Sequence, residues 1–216
     1  MVATANVLTA NIPAMHIKET IVLIGSGKNG RLAAGALLAG CYKLLLCDKN
    51  FELAKELARE LDSDNSCAVE AMECSFDCAW EADMILLASG FEKQLEAVRI
   101  IKDVINQKIL ISLGDNVHCN SDDDVVSPNR QITLLRQILP NTKIAVVRLA
   151  AATCDNGLQT NIIEHIVVFG REQNTVDTAA EIFKHSGIVS LKKELMPLTG
   201  NTSQPASAGQ KNVKIV

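Results

Sequence analysis

Apolar residues along the chain follow two alternating patterns. Short runs that are apolar almost throughout sit at Ile21–Ile24, Lys43–Asp48 (KLLLCD), Cys67–Ala71 (CAVEA), Asp83–Ala88 (DMILLA), Lys108–Leu113 (KILISL), Lys143–Val147 (KIAVV), His165–Phe169 (HIVVF) and Ile188–Leu191 (IVSL). Between them, apolar positions recur every three or four residues. Lys28–Ala39 is rich in Ala and Leu and stops at Gly40, a residue suited to cap a helix C-terminus. Phe51–Leu61 places Leu53, Ala54, Leu57, Ala58 and Leu61 on one helical face. Ser75–Ala82 reads as a short helix, and Leu95, Val98, Ile101 and Ile105 line a longer one. Two more helices lie near Ile132–Leu139 and around Val176, Ala180 and Phe183. Strands without polar alternation need cover on both faces. The pattern therefore predicts a doubly wound, mostly parallel α/β sheet.

Both ends depart from these patterns. Residues 1–18 are rich in Ala, Asn and Thr with a single Lys18, and read as a flexible leader. Residues 199–216 lose periodicity and are rich in Gly, Ser, Asn and Gln, which predicts a mobile tail. Residues 19–198 form one domain of ordinary size without an internal repeat.

Composition narrows the picture a little. The 216 residues are 48% hydrophobic and 21% charged, with a formal net charge of −4. That is globular composition, and it gives no general affinity for nucleic acid or acidic membranes. The seven cysteines lack metal-ligand spacing and read as reduced, mostly core thiols. With no apolar stretch near the ~18 residues that cross a bilayer, the expected compartment is the cytoplasm.

The first strand run ends in IVLIGSGKNG, with glycines at 25, 27 and 30. Such spacing is common at corners. Here it follows a strand, opens a helix and is followed by a second strand ending in Asp48, 18 residues beyond Gly30. In a dinucleotide-binding turn Gly25 makes the sharp bend, Gly27 admits the pyrophosphate, and Gly30 lets helix pack on strand. The phosphates then rest on main-chain N–H groups at the positive end of the helix. Asp48 would accept hydrogen bonds from ribose hydroxyls, which favours NAD(H), whereas Lys49 or Lys28 could neutralise a 2′-phosphate. At the end of the fourth strand, Ala88, Ser89 and Gly90 are small enough to let an inner ribose approach backbone, or simply begin a loop.

Several polar residues at the expected crevice rim invite chemistry. GDNVHCNSDDD (Gly114–Asp124) is the most polar stretch of this half. His118 could donate a proton or orient a carboxylate, and could equally be a solvated loop residue. Asn116 is either a nicotinamide contact or a turn residue. Asp122, Asp123 and Asp124 on an extended loop point in different directions and are read as solvated, so no metal site is expected. Arg148 could anchor an acidic ligand group or pair with a surface carboxylate. His165 and His185 look structural. No paired-carboxylate or nucleophile–base arrangement stands out, and the catalytic residues are unknown.

The segments IVLIGSGKNGRLAAGALLAG, LCDKNFELAKELA, EADMILLAS, KILISL, LPNTKIAVVRL and KKELMPLTG, taken in order, resemble a known group. It is the dinucleotide-binding domain of the pyrroline-5-carboxylate reductase and deazaflavin-dependent NADP reductase family, within the 6-phosphogluconate dehydrogenase-like superfamily. The likeness runs from about Glu19 to Thr199. It implies a Rossmann-type sheet and hydride transfer between NAD or NADP and a small substrate, flavin or deazaflavin. By that likeness Gly25, Ser26, Gly27, Lys28, Asn29 and Gly30 line the pyrophosphate, Asp48 and Lys49 the adenosine ribose, and Ala88 and Ser89 the inner ribose. Holding the two rings at reaction distance does most of the work in such chemistry, so a dedicated acid or base is not required.

Departures from the family pattern carry expectations too. Pyrroline-5-carboxylate reductases continue into a helical second domain, whereas this chain ends where that domain would begin, and its length fits the single-domain deazaflavin type. Proline synthesis is therefore not expected. After Arg148, where the family places polar residues beside the nicotinamide, the chain reads LAAATCDNG, and Thr153 is the one plausible survivor. Two functions follow: a small NAD(P)-dependent oxidoreductase, or a non-catalytic NAD(P)-binding module reporting redox state to a partner. The expected partners are a small molecule or second redox cofactor, and a homodimer is compatible.

Overall fold

The computed structural model describes residues 19–62, 69–114, 126–153, 159–184 and 190–197. The leader at 1–18 and the tail at 199–216 lie outside them, as do Asn116, His118, Asp122–Asp124 and His185. In chain order the elements are β1 (Thr20–Ile24), α1 (Lys28–Ala39), β2 (Lys43–Cys47), α2 (Phe51–Leu61), β3 (Val69–Ala71), α3 (Ser75–Glu81), β4 (Met84–Leu87) and α4 (Phe91–Ile101). A 3-10 turn at Lys102–Val104 leads into β5 (Ile109–Leu113), followed by α5 (Pro128–Ile138), β6 (Lys143–Thr153), β7 (Gln159–Gly170), α6 (Gln173–Ile182) and β8 (Ser190–Leu195).

The strands form one sheet in the order β3-β2-β1-β4-β5-β6-β7-β8. All neighbours are parallel except β6 and β7. The doubly wound class inferred from alternation is therefore correct. Consecutive apolar residues on a strand point to opposite faces, and both faces are dry. Ile21, Leu23, Leu44 and Leu46 pack with α1, α2 and α6, while Val22, Leu45, Ile85 and Leu87 pack with α3, α4 and α5.

Three boundaries differ from the sequence expectation. KIAVV and HIVVF are the inner parts of two long strands, paired antiparallel from Ala145↔Gly170 outward, with register shifts around Ala151. The run LAAAT after Arg148 continues β6 as strand. The last strand begins at Ser190 and continues through Lys192, Lys193 and Glu194 to Leu195. It is a polar edge strand, so apolarity alone did not show its continuation to Leu195.

At the C-terminus of α1 the left-handed residue is Cys41 (φ 60°), and Gly40 keeps a right-handed φ of −85°. Cys41 N–H donates to the Leu38 carbonyl at 2.9 Å and Tyr42 N–H to the Leu37 carbonyl at 3.4 Å, which is the Schellman arrangement. Gly40 is small for another reason: a Cβ there would sit 2.7 Å from the Tyr42 ring.

Candidate functional site

β1 lies between β2 and β4, where the strand order reverses, so the ends of β1 and β4 open a crevice at the carboxyl edge of the sheet. Gly25 turns the chain there with φ +110° and donates its N–H to the Cys47 carbonyl at 2.8 Å. The three glycines have separable environments. A Cβ on Gly25 would approach the Ala88–Ser89 backbone at 3.1 Å, and one on Gly30 would lie 2.0 Å from the Gly25 carbonyl oxygen. Gly27 meets nothing within 4 Å. Gly25 and Gly30 therefore build the turn, and Gly27 leaves its outer side open. Gly27 is also the N-cap of α1 and offers no side-chain acceptor to the first-turn amides. Arg31, the nearest arginine on α1, pairs with Glu60 and Glu56 on α2 instead.

Asp48 does more than the sequence suggested. Its Oδ2 accepts from the Ser26 N–H at 2.7 Å and its Oδ1 from the Asn50 N–H at 2.9 Å. The carboxylate thus ties the glycine turn to the start of α2 and is held in one orientation at the end of β2. Each oxygen keeps a second lone pair, so ribose hydroxyls can still be accepted. Lys28 and Lys49 are exposed on either side of the turn, and Asn29 is half-buried in the first turn of α1.

At the end of β4, Ala88 is buried and its N–H donates to the Ile24 carbonyl at 2.8 Å, so Ala88 and Ser89 stand against Gly25 across the crevice. Here the structure adds a residue that sequence reasoning missed. Gln94, only 1% exposed, donates from Nε2 to the Ser89 carbonyl at 2.6 Å and to the Leu113 carbonyl at 2.9 Å. Its Oε1 accepts from Ser112 Oγ at 2.5 Å. Gln94 occupies an apolar position of a helical repeat, and a glutamine there signals nothing until its neighbours are known.

Arg148 lies one residue past the last β5–β6 pair, Leu113↔Val147, on the side of α4 and α5. Its guanidinium faces the Phe169 ring at 6.0 Å, and its Cγ and Nε run close to Gly114. Nε is buried without a hydrogen-bond partner, and no carboxylate pairs with this side chain among the described residues. Thr153 lies far along β6, where its backbone pairs with Gln159. His165 Nδ1 shares a hydrogen bond with Ser190 Oγ at 2.7 Å between β7 and β8, a structural role.

Among the described residues the thiols are free, with Cys47 and Cys78 buried, Cys41 partly buried and Cys74 exposed; the hydrogen bond with Cys47, then burial, pushes the Cys78 thiol well up. Among the described residues there is no cluster of metal-ligating side chains, and no helix long and apolar enough to cross a membrane. A cavity of about 330 Å³ opens at the opposite, amino edge of the sheet beside Tyr42 and Met84. Two of its acids are engaged, Asp177 by Lys193 at 2.8 Å and Glu181 by Lys184 at 3.4 Å.

A mostly parallel sheet with this strand order and a glycine turn at its reversal define a Rossmann-type fold. Residues 20–116 match the family described as "NADP oxidoreductase coenzyme F420-dependent". That match spans somewhat under half of the chain. Among solved structures, it is similar to a protein assigned as an F420-dependent NADP reductase from Arthrobacter sp. FB24. The TM-score is 0.62 at 16% identity, covering 82% of this chain and 84% of that one. It also resembles a pyrroline-5-carboxylate reductase from Coxiella burnetii, with a TM-score of 0.58, 13% identity and coverage of 82% and 59%. These two likenesses concern the fold. Over 88 residues, 40% of the chain, it is 34% identical to a glutamyl-tRNA reductase of Nitratidesulfovibrio vulgaris, of which it spans 19%.

Proposed function

We propose that the chain binds NAD(P)(H) with its diphosphate on the main-chain amides of the Gly25–Gly30 turn. The adenosine ribose then meets Asp48 and Lys49, and the inner ribose lies over Ala88 and Ser89. The single observation that carries this reading is the open outer side of Gly27, in a turn whose other two glycines are sterically required. The carboxylate of Asp48, fixed by two amides, supports a preference for NAD(H), since a 2′-phosphate beside it would be repelled. The family description, which names NADP, is the counterweight, and Lys28 and Lys49 are the cations that would serve it.

The nicotinamide would then exchange hydride with an acceptor seated over the ends of β5 and β6. A small imine-type substrate, a flavin or a deazaflavin fits that role, and Arg148, which pairs with no described carboxylate, offers a counter-charge to an anionic group on it. The test is thermal shift with NADH and NADPH, followed by a scan for oxidation of the preferred cofactor by flavins and small imines. Stabilisation with turnover supports the oxidoreductase. A second reading, a non-catalytic NAD(P)-binding module, is favoured by one observation: the stretch after Arg148 is paired strand, not a polar loop. Stabilisation without turnover across that panel would select it.

A further inference from the structure

We infer that Gln94 is a positioning residue for the inner half of the dinucleotide: its carboxamide wedges β4 and β5 apart by a set distance where their pairing stops. The inference rests on the dinucleotide-binding reading above. The last paired residues of the two strands are Leu87 and Ser112. Beyond them the ladder ends, leaving the carbonyl of Ser89, two residues past β4, and that of Leu113, the last residue of β5. Gln94 bridges both with one NH₂ group.

The orientation of that amide is determined by its surroundings. The two carbonyls can only accept, so the nitrogen end must face them, and the Ser112 hydroxyl then donates to Oε1. Both side-chain N–H donors are used. The main chain locks the same point, because Gln94 N–H donates to the Gly90 carbonyl at 3.1 Å. With Ser89 and Gly90 held from both ends, the peptide planes that face the crevice have fixed directions. Leu113, and Gly114 after it, are held in the same way, Gly114 N–H donating to Val147 at 2.9 Å.

Packing alone does not account for a glutamine here. The buried face of α4 comprises Phe91, Gln94, Val98 and Ile101, and the other three are apolar. An apolar side chain of similar length would fill the space while leaving the buried Leu113 carbonyl and the partly buried Ser89 carbonyl without this donor, and β4 and β5 would relax to satisfy them. That relaxation would shift the floor under the inner ribose. The Gly25–Gly30 turn and Asp48, which follow β1 and β2 and take the diphosphate and adenosine ribose in that reading, make no hydrogen bond with the Gln94 carboxamide.

The two halves of the ligand therefore separate this role from a purely structural one. In Gln94→Met, NADH and NADPH affinity by calorimetry should fall about tenfold, roughly the worth of one to two buried hydrogen bonds. ADP, which reaches only the β1–β2 end, should bind within about twofold of wild type. Ser112→Ala, which frees one end of the amide, should show the same asymmetry at about threefold, and it carries the test alone if Gln94→Met does not fold. Equal losses for ADP and the dinucleotides, or no loss for either, would overturn the assignment. Wild-type protein that binds ADP and dinucleotide equally weakly, or not at all, would instead remove the binding reading on which it stands.

Discussion

Gly27 and Gly30 stand three residues apart and do opposite jobs. A methyl group on Gly30 would be driven into the Gly25 carbonyl, whereas one on Gly27 would enter open space. Gly30→Ala should therefore destabilise the protein by about 2 kcal/mol or more, seen as a lower melting temperature without ligand. Gly27→Val should cost the free protein no more than about 1 kcal/mol, as a poorer N-cap, yet abolish stabilisation by nucleotide. If Gly27→Val titrates like wild type in nucleotide fluorescence, the diphosphate does not lie on this turn. Asp48→Ala should weaken NADH more than NADPH, because it removes the ribose acceptor and the negative charge together. It should also loosen the turn, since the Ser26 N–H loses its partner. The reverse ordering of the two cofactors would make Lys49 the dominant selector.

Among elements, the ends of helices show how far local sequence reaches. Asn50 caps α2 by accepting from the Glu52 N–H at 3.3 Å, and Ser127 caps α5 by accepting from the Arg130 N–H at 3.4 Å with Pro128 following. Both are signals of residue type and need no tertiary knowledge. At α1, by contrast, Gly40 correctly marks the end while the left-handed position falls on Cys41. Tyr42, packed over Gly40, decided that offset. A non-glycine residue in the left-handed region costs about 1 kcal/mol or more. Cys41→Gly should accordingly raise stability by about 0.5–1 kcal/mol after the entropy cost of glycine in the unfolded chain, measured by urea denaturation. A loss of stability would show that the partly buried Cys41 side chain outweighs the backbone term.

For the whole molecule, the sheet grades from a dry centre to wet edges. β1 and β4 are buried along nearly their entire length, whereas β3 has three residues of partial or full exposure and β8 carries lysines and a glutamate at the other edge. Charges of this kind also discourage pairing with another sheet. Amide exchange should be slowest in β1 and β4 and faster by at least about a hundredfold in β3 and β8. Protection at the edges equal to that of the centre would mean that something covers them.

What the residues alone determined were the elements, their alternation and the chemistry of the first turn, because those depend on periodicity, on glycine sterics and on spacing within some thirty residues. Strand direction was another matter. KIAVV and HIVVF are apolar on both faces, and that pattern is the same for either direction, so the antiparallel pairing of β6 and β7 came only with the fold. So did the second role of Asp48, the buried Arg148 Nε without a hydrogen-bond partner among the described residues, and the bridge made by Gln94. Each depends on which groups are brought together from distant segments, and a hydrogen bond between residues 22 or 19 positions apart, as for Asp48 with Ser26 and Gln94 with Leu113, leaves no periodic trace in a chain.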